Sequence, residues 1–150
     1  MTPKKLTLKK PAALGSVEWV ETHWDGVQLG VKHVDAVTSR DWSSQVTSVH
    51  YDEQKRLNAL RKEMGAEDAP PSTQQGRAEF FKLFDECLDA VAGMRGVDDL
   101  KDDDADGARE ILRRASYGEA QAILSCILEV QQVSKFRSDS STDAGDVGAE

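Results

Sequence analysis

The segment "KDDDADGAREIL", residues 101–112, is where this chain comes closest to ligand chemistry. Asp102, Asp104 and Asp106, followed by Gly107, match the first half of a calcium-binding EF-hand loop. Such a loop takes oxygen ligands at positions 1, 3, 5, 7, 9 and 12, with Gly at 6 and a bidentate Glu at 12. Counting from Asp102, position 12 is Arg113 and position 8, normally apolar, is Arg109. A fixed cation stands where two carboxylate oxygens should close the shell. The same residues make a good helix start: Asp104 or Asp106 can cap the helix that carries Ile111 and Leu112, and carboxylates favour its positive pole. The segment reads as a solvated acidic turn, with no metal.

Other reactive side chains are isolated. His23, His33 and His50 have no His, Cys or acidic neighbour at a metal-ligand spacing, although His23 and His33 could face each other across a hairpin. Cys87 and Cys126 are far apart in sequence, each on an apolar helical face, and read as reduced core thiols. Gly93 and Gly96 lack the strand-before, helix-after setting of a phosphate loop. No Ser or Cys sits in a nucleophile motif. The expectation is a protein that is not an enzyme, with no catalytic residue and no cofactor.

The elements that would carry such residues follow from composition and periodicity. At 150 residues, with 39% hydrophobic and 31% charged, the chain suits one domain with a core. A formal net charge of -8 argues against nucleic acid as a partner. No apolar run approaches the ~18 residues of a membrane span, and no signal-peptide pattern opens the chain, so the expected place is the cytoplasm.

Residues 1–15, with Lys4, Lys5, Lys9 and Lys10 between Pro3 and Pro11, read as a flexible arm. Residues 16–34 predict a β-hairpin turning at Asp25-Gly26, with Trp19 and Trp24 before the turn and Leu29 and Val31 after it. Two strands alone are marginal, so the hairpin must pack on helices or on another chain. Residues 38–64 are helical, with Thr38 as candidate cap, Trp42, Val46, Val49, Leu57, Leu60 and Met64 at helix spacing, and Gly65 as the stop. One helix, or two broken near Tyr51-Asp52, fits equally. Residues 65–76, with Pro70-Pro71, form a linker, and residues 77–137 hold the remaining helices. The first of these runs from Phe80 to a stop near Gly93, and the last opens on a capping box, Ser116 to Glu119. Residues 138–150 are too polar to order. The fold class expected is α+β: an N-terminal hairpin, then a mainly α-helical part of four to five helices, in a single domain over residues 16–137.

The second half resembles the tail assembly chaperones of long-tailed phages with flexible, non-contractile tails. The resemblance rests on an order of elements: the helix "RAEFFKLFDECLDAV", the D-x-D-G turn of Asp104 to Gly107, the short helix "AREILRRAS", the helix "YGEAQAILSCILEVQQVS" and a polar tail. It implies a non-enzymatic role in the host cytoplasm, coating the helical tape-measure protein before the tail tube polymerises. Repulsion between acidic copies would keep the coated rod dispersed.

Two helices carry more apolar residues than one narrow stripe needs. Adjacent Phe80 and Phe81 point about 100° apart on a helix, and Val130 lies off the line of Ile123 and Ile127. Phe80, Phe81, Phe84, Leu88, Ile123, Ile127 and Val130 are therefore the expected partner-binding or self-association residues, lining a groove for an amphipathic helix. Other functions compatible with the sequence are a small acidic regulatory or inhibitory protein, binding a host or phage target through the hairpin, and a minor structural tail or head–tail connector protein.

Overall fold

The computed structural model describes residues 13–136, with side chains up to residue 132. Most of the arm (residues 1–12) and the polar tail (residues 138–150) lie outside the described residues. The fold is α+β. Strands β1 (Val17–Glu21) and β2 (Gln28–Lys32) lead into helices α1 (Ala36–Met64) and α2 (Gln74–Cys87). A 3-10 turn (Leu88–Ala90) and strand β3 (Val91–Arg95) follow, then helices α3 (Ala105–Arg113) and α4 (Tyr117–Phe136). The sheet is antiparallel in the order β1-β2-β3.

The hairpin forms where the sequence places it. Val27 N–H bonds to the Trp24 carbonyl across Asp25-Gly26, and the Thr22 hydroxyl ties the connection by donating to the Val27 carbonyl at 2.8 Å. Trp24 lies in this connection rather than in the strand. Residues 13–15, expected in the arm, are tied to the sheet instead, since Gly15 N–H donates to the His33 carbonyl at 2.9 Å.

Strand β3 is the main departure from the sequence reading, which took Val91 as part of a helix stopping near Gly93. The helix ends at Cys87. β2 has Leu29, Gly30 and Val31 all buried and needs a partner on its second edge, and β3 supplies it. Arg109 makes the crossover possible: its guanidinium donates to the carbonyls of Leu88, Asp89 and Val91 at 3.0, 3.3 and 3.0 Å, a cation among the unpaired carbonyls of a helix end. A register shift at Gly30/Val31 leaves Ala92 as an extra residue, so Val91 and Met94 are both buried despite their three-residue spacing. On the opposite face Trp19, Gly30 and Gly93 stand in one row across the sheet. A Cβ on Gly30 would meet the Trp19 ring at 3.0 Å, and one on Gly93 would collide with the Asp102 backbone carbonyl. The loop after β3 thus folds back over the outer face, where Arg95 stacks 3.8 Å from the Trp19 ring and bonds Asp102 at 3.1 Å.

Helix α1 is continuous over 29 residues, about 43 Å long at 1.5 Å per residue. Its cap is Asp35, accepting from Thr38 N–H at 2.7 Å, so Thr38 is the bonded residue and not the cap. Gly65 ends it as expected, its N–H bonding the Arg61 carbonyl. The linker is shorter than its composition suggests, because Thr73 caps α2 by accepting from Gly76 N–H at 2.9 Å. The capping box of α4 forms in both directions: Ser116 N–H to Glu119 Oε1 at 2.9 Å, and Glu119 N–H to Ser116 Oγ at 3.3 Å. Gln131, 2% exposed, joins α4 to the sheet by accepting from Val34 N–H at 3.0 Å and donating to the Lys32 carbonyl at 2.8 Å.

The buried carboxylate of Glu53, midway along α1, fixes where α2 begins. It accepts from Thr73 N–H at 2.6 Å and from the Thr73 hydroxyl, and lies 3.5 Å from Arg56. Burial alone would push Glu53 up, but the Thr73 donors and Arg56 outweigh it and hold the carboxyl below the ordinary glutamate range. Gly76 faces this carboxylate with no room for a Cβ.

Gly76→Ala should therefore destabilise the protein by ~1–2 kcal/mol in urea unfolding, although Ala is worth ~1 kcal/mol more than Gly within a helix. In a Glu53→Ala background, itself costing ~2–3 kcal/mol, the same change should become neutral or stabilising. Because the folded pKa of Glu53 is depressed, its contribution is complete above the unfolded carboxylate pKa and lost as pH falls through the folded value. Glu53→Gln should show a correspondingly smaller loss of stability on acidification, measured by unfolding at a series of pH values.

Candidate protein-interaction site

Six of the seven residues expected to meet a partner are in the core. Phe80 is 8% exposed, and Phe84, Leu88, Ile123, Ile127 and Val130 are 2% or less. Only Phe81 is half-buried. The expectation of a groove on these residues is thus corrected by their burial. Adjacent phenylalanines can both pack because α2 contacts α1 on one side and α4 on another. Phe80 meets Tyr117 edge-on at 5.3 Å between centroids and stacks on Phe84 at 6.1 Å, while Phe81 packs against Tyr117 at 6.1 Å. Val130 is covered for the same reason, since α4 touches α1, α2, β1 and β2. A helix enclosed on several sides buries more than one stripe.

The reactive side chains stay apart. Asp104 is the cap of α3, accepting from Gly107 N–H at 2.9 Å, so the acidic segment is a turn into a helix as its sequence suggests. Arg113 pairs with Asp85 and Glu110 at 3.0 and 3.2 Å. Among the described residues no three His, Cys, Asp or Glu side chains converge as metal ligands. His23 stacks on Trp24 in the hairpin connection, whereas His33 follows β2 at the opposite end, so the two do not face each other. His33 is buried with Nε2 3.3 Å from Glu18, and its Nδ1 has no hydrogen-bond partner among the described residues. Cys87 is fully buried, and burial pushes its thiol up to about 12, far from a reactive thiolate. Burial also raises the half-buried Cys126 thiol. No described helix is long and apolar enough to cross a membrane.

What remains open to a partner is the far end of α1. Trp42, Val46, Val49, Glu53, Leu57, Leu60 and Met64 follow one another at intervals of three and four, a single stripe along the helix. Trp42 is buried and its indole N–H donates to Glu86 at 3.1 Å; Leu57 is 2% exposed. Beyond Leu57 cover thins toward the helix end: Leu60 is half-buried, Met64 is 45% exposed, and residues 65–68 are exposed. The last two turns of α1 are thus the least covered part of the stripe. Tyr51, 62% exposed beneath Lys55 at 5.4 Å, lies on another face. Leu60 and Met64 were legible in sequence as members of the stripe. Nothing in their spacing marked them as the uncovered members, because cover depends on where α2 starts.

Three further exposed apolar side chains, Leu14, Val17 and Val37, lie just before β1, at its start and in the first turn of α1. Comparison with family models, with curated proteins and with solved structures finds no match.

Asp104→Ala should cost ~1 kcal/mol through loss of the α3 cap, with the same loss in millimolar calcium and in chelator. A saturable calcium heat in calorimetry, abolished by that substitution, would reinstate the ion site.

Proposed function

We propose that the chain is a non-enzymatic binding protein that covers a helical partner, and that the partner is a phage tape-measure protein held soluble during tail assembly. The observation that supports binding of a helix is the stripe of α1. Trp42, Glu53 and Leu57 are buried and Val46 and Val49 pack half-buried against the core, whereas the stripe ends on half-buried Leu60 and on Met64, 45% exposed. An amphipathic helix laid along these turns would extend the packing that α2 provides further back. The tape-measure protein enters through the sequence resemblance to tail assembly chaperones, in which a strand pair precedes helices and an acidic turn separates the later ones. The host cytoplasm is the corresponding place of action.

The alternative of a regulatory or inhibitory protein acting through its hairpin draws support from exposed Leu14, Val17 and Val37. Substitution at the two surfaces separates them. Leu60→Gln/Met64→Gln should keep the unfolding free energy within ~1 kcal/mol. It should also reduce co-purification with the co-expressed tape-measure protein at least tenfold, and the phage should form few tails. Val17→Gln should change neither. Loss of binding with Val17→Gln alone would transfer the site to the hairpin, and recovery of the protein in purified particles by mass spectrometry would make it a tail or connector component.

A further inference from the structure

The sheet has two outer edges, and the described residues treat them differently. β3 is packed along α3, and Arg109 of that helix donates to the Val91 carbonyl. β1 has no strand on its outer side among the described residues. Its ladder to β2 is pinned at both ends, by Thr22 N–H on the Val27 carbonyl and by His33 N–H on the Ser16 carbonyl. Hydrogen-bonded pairs alternate along an antiparallel ladder, so Glu18 and Val20 direct their backbone groups to Val31 and Leu29 of β2. Val17, Trp19 and Glu21 direct theirs outward. Cys126 of α4 reaches the Glu21 carbonyl at 3.7 Å and marks one end of this edge. The N–H and C=O groups of Val17 and Trp19 are those an added strand would bond.

The charge along this edge is of one sign. Side chains alternate between the two faces of a strand, so Glu18 lies on the core side with Val20, and Glu21 on the outer side with Val17 and Trp19. Glu21 is exposed, and Glu18 is 35% exposed beside His33. Glu129 adds a third carboxylate from α4, where its charge joins burial in raising the Cys126 thiol. β1 carries no Lys, Arg or Pro, the residues that usually guard an open edge. Of the two cations in the sheet, Arg95 is bonded to Asp102 on β3, and Lys32 stands across from Val17 on β2. The β1 strand of a second copy would bring its own Glu18 and Glu21 to these carboxylates, which like charges disfavour. An extended segment with basic side chains would neutralise them.

We infer that β1 takes an extended basic peptide from a partner protein as an added strand. Lys or Arg stands opposite Glu18 and opposite Glu21, three positions apart, with apolar residues between. None of this rests on the stripe of α1. The test is amide hydrogen exchange by NMR on the full chain, with a short end-capped peptide, Lys-Val-Val-Lys-Val, added at millimolar concentration. The N–H groups of Val17 and Trp19 should exchange freely in the chain alone, and roughly tenfold slower with the peptide bound. The Glu18 and Val20 amides, bonded to β2, report in the same spectra that the hairpin is intact. The peptide Glu-Val-Val-Glu-Val should give no protection, and Glu21→Lys/Glu129→Lys should weaken binding of the lysine peptide roughly tenfold. Val17 and Trp19 amides that the lysine peptide leaves unchanged would overturn the inference, as would equal protection by the glutamate peptide. Protection in the chain alone would also overturn it. If independent of protein concentration, it gives the edge to the chain itself; if it rises with concentration, to a second copy.

Discussion

The burial of one carboxylate holds the two halves of this chain together. Glu53 sits midway along α1 and takes both donors of Thr73, the residue that begins α2. A buried carboxylate is costly unless its lone pairs are filled, so the contact is sensitive to geometry. Thr73 must be at the helix start with its N–H free, and Gly76 must present no side chain. Those conditions fix the distance along α1 at which α2 begins, and with it the depth at which Phe80 and Phe84 enter the core. They also fix how much of α1 is left over. The thinning cover over Leu60 and Met64 follows from the position of Glu53, not from any property of those two residues.

The sheet depends on a comparable fit on its outer face. Trp19 covers Gly30 and approaches Gly93, and the acidic loop closes over Gly93 through Asp102. Glycine weakens a strand interior because it buries no side chain, and an aromatic ring laid across the gap offsets part of that loss. Arg95 then stacks on the ring and ties the loop by its bond to Asp102. The acidic segment is thus held at both ends, by Arg95 at Asp102 and by the cap at Asp104. Its carboxylates serve packing and helix capping.

The division between core and surface bears directly on function. An apolar helical residue is available to a partner only where the fold leaves it uncovered, and α2 and α4 are covered on several sides. That removes the aromatic-rich helices from consideration and directs attention to α1 and to the hairpin. A helical partner and an extended one make different demands: a stripe at intervals of three and four, or an open backbone edge. Among the described residues, α1 ends on such a stripe, and β1 has no strand on its outer side.

Local signals determined much of the architecture. The Asp25-Gly26 turn, the stop at Gly65, the capping box at Ser116 and the acidic start of α3 are decided by bonds within a few residues, so they are legible in sequence. The α+β class followed from the change of period after residue 34. Thr73 as a cap was equally local, yet the prolines before it masked it. Three matters were decided only by tertiary structure. β3 forms because β2 needs a second partner and Arg109, distant in sequence, donates to the carbonyls freed by ending α2 early. Phe80, Phe81 and Val130 pack inward because neighbours surround their helices, which periodicity on one helix does not reveal. Burial of Glu53 depends on a threonine and a glycine beyond a proline linker. A residue's pattern states which face it lies on, and only the assembled fold states what stands against that face.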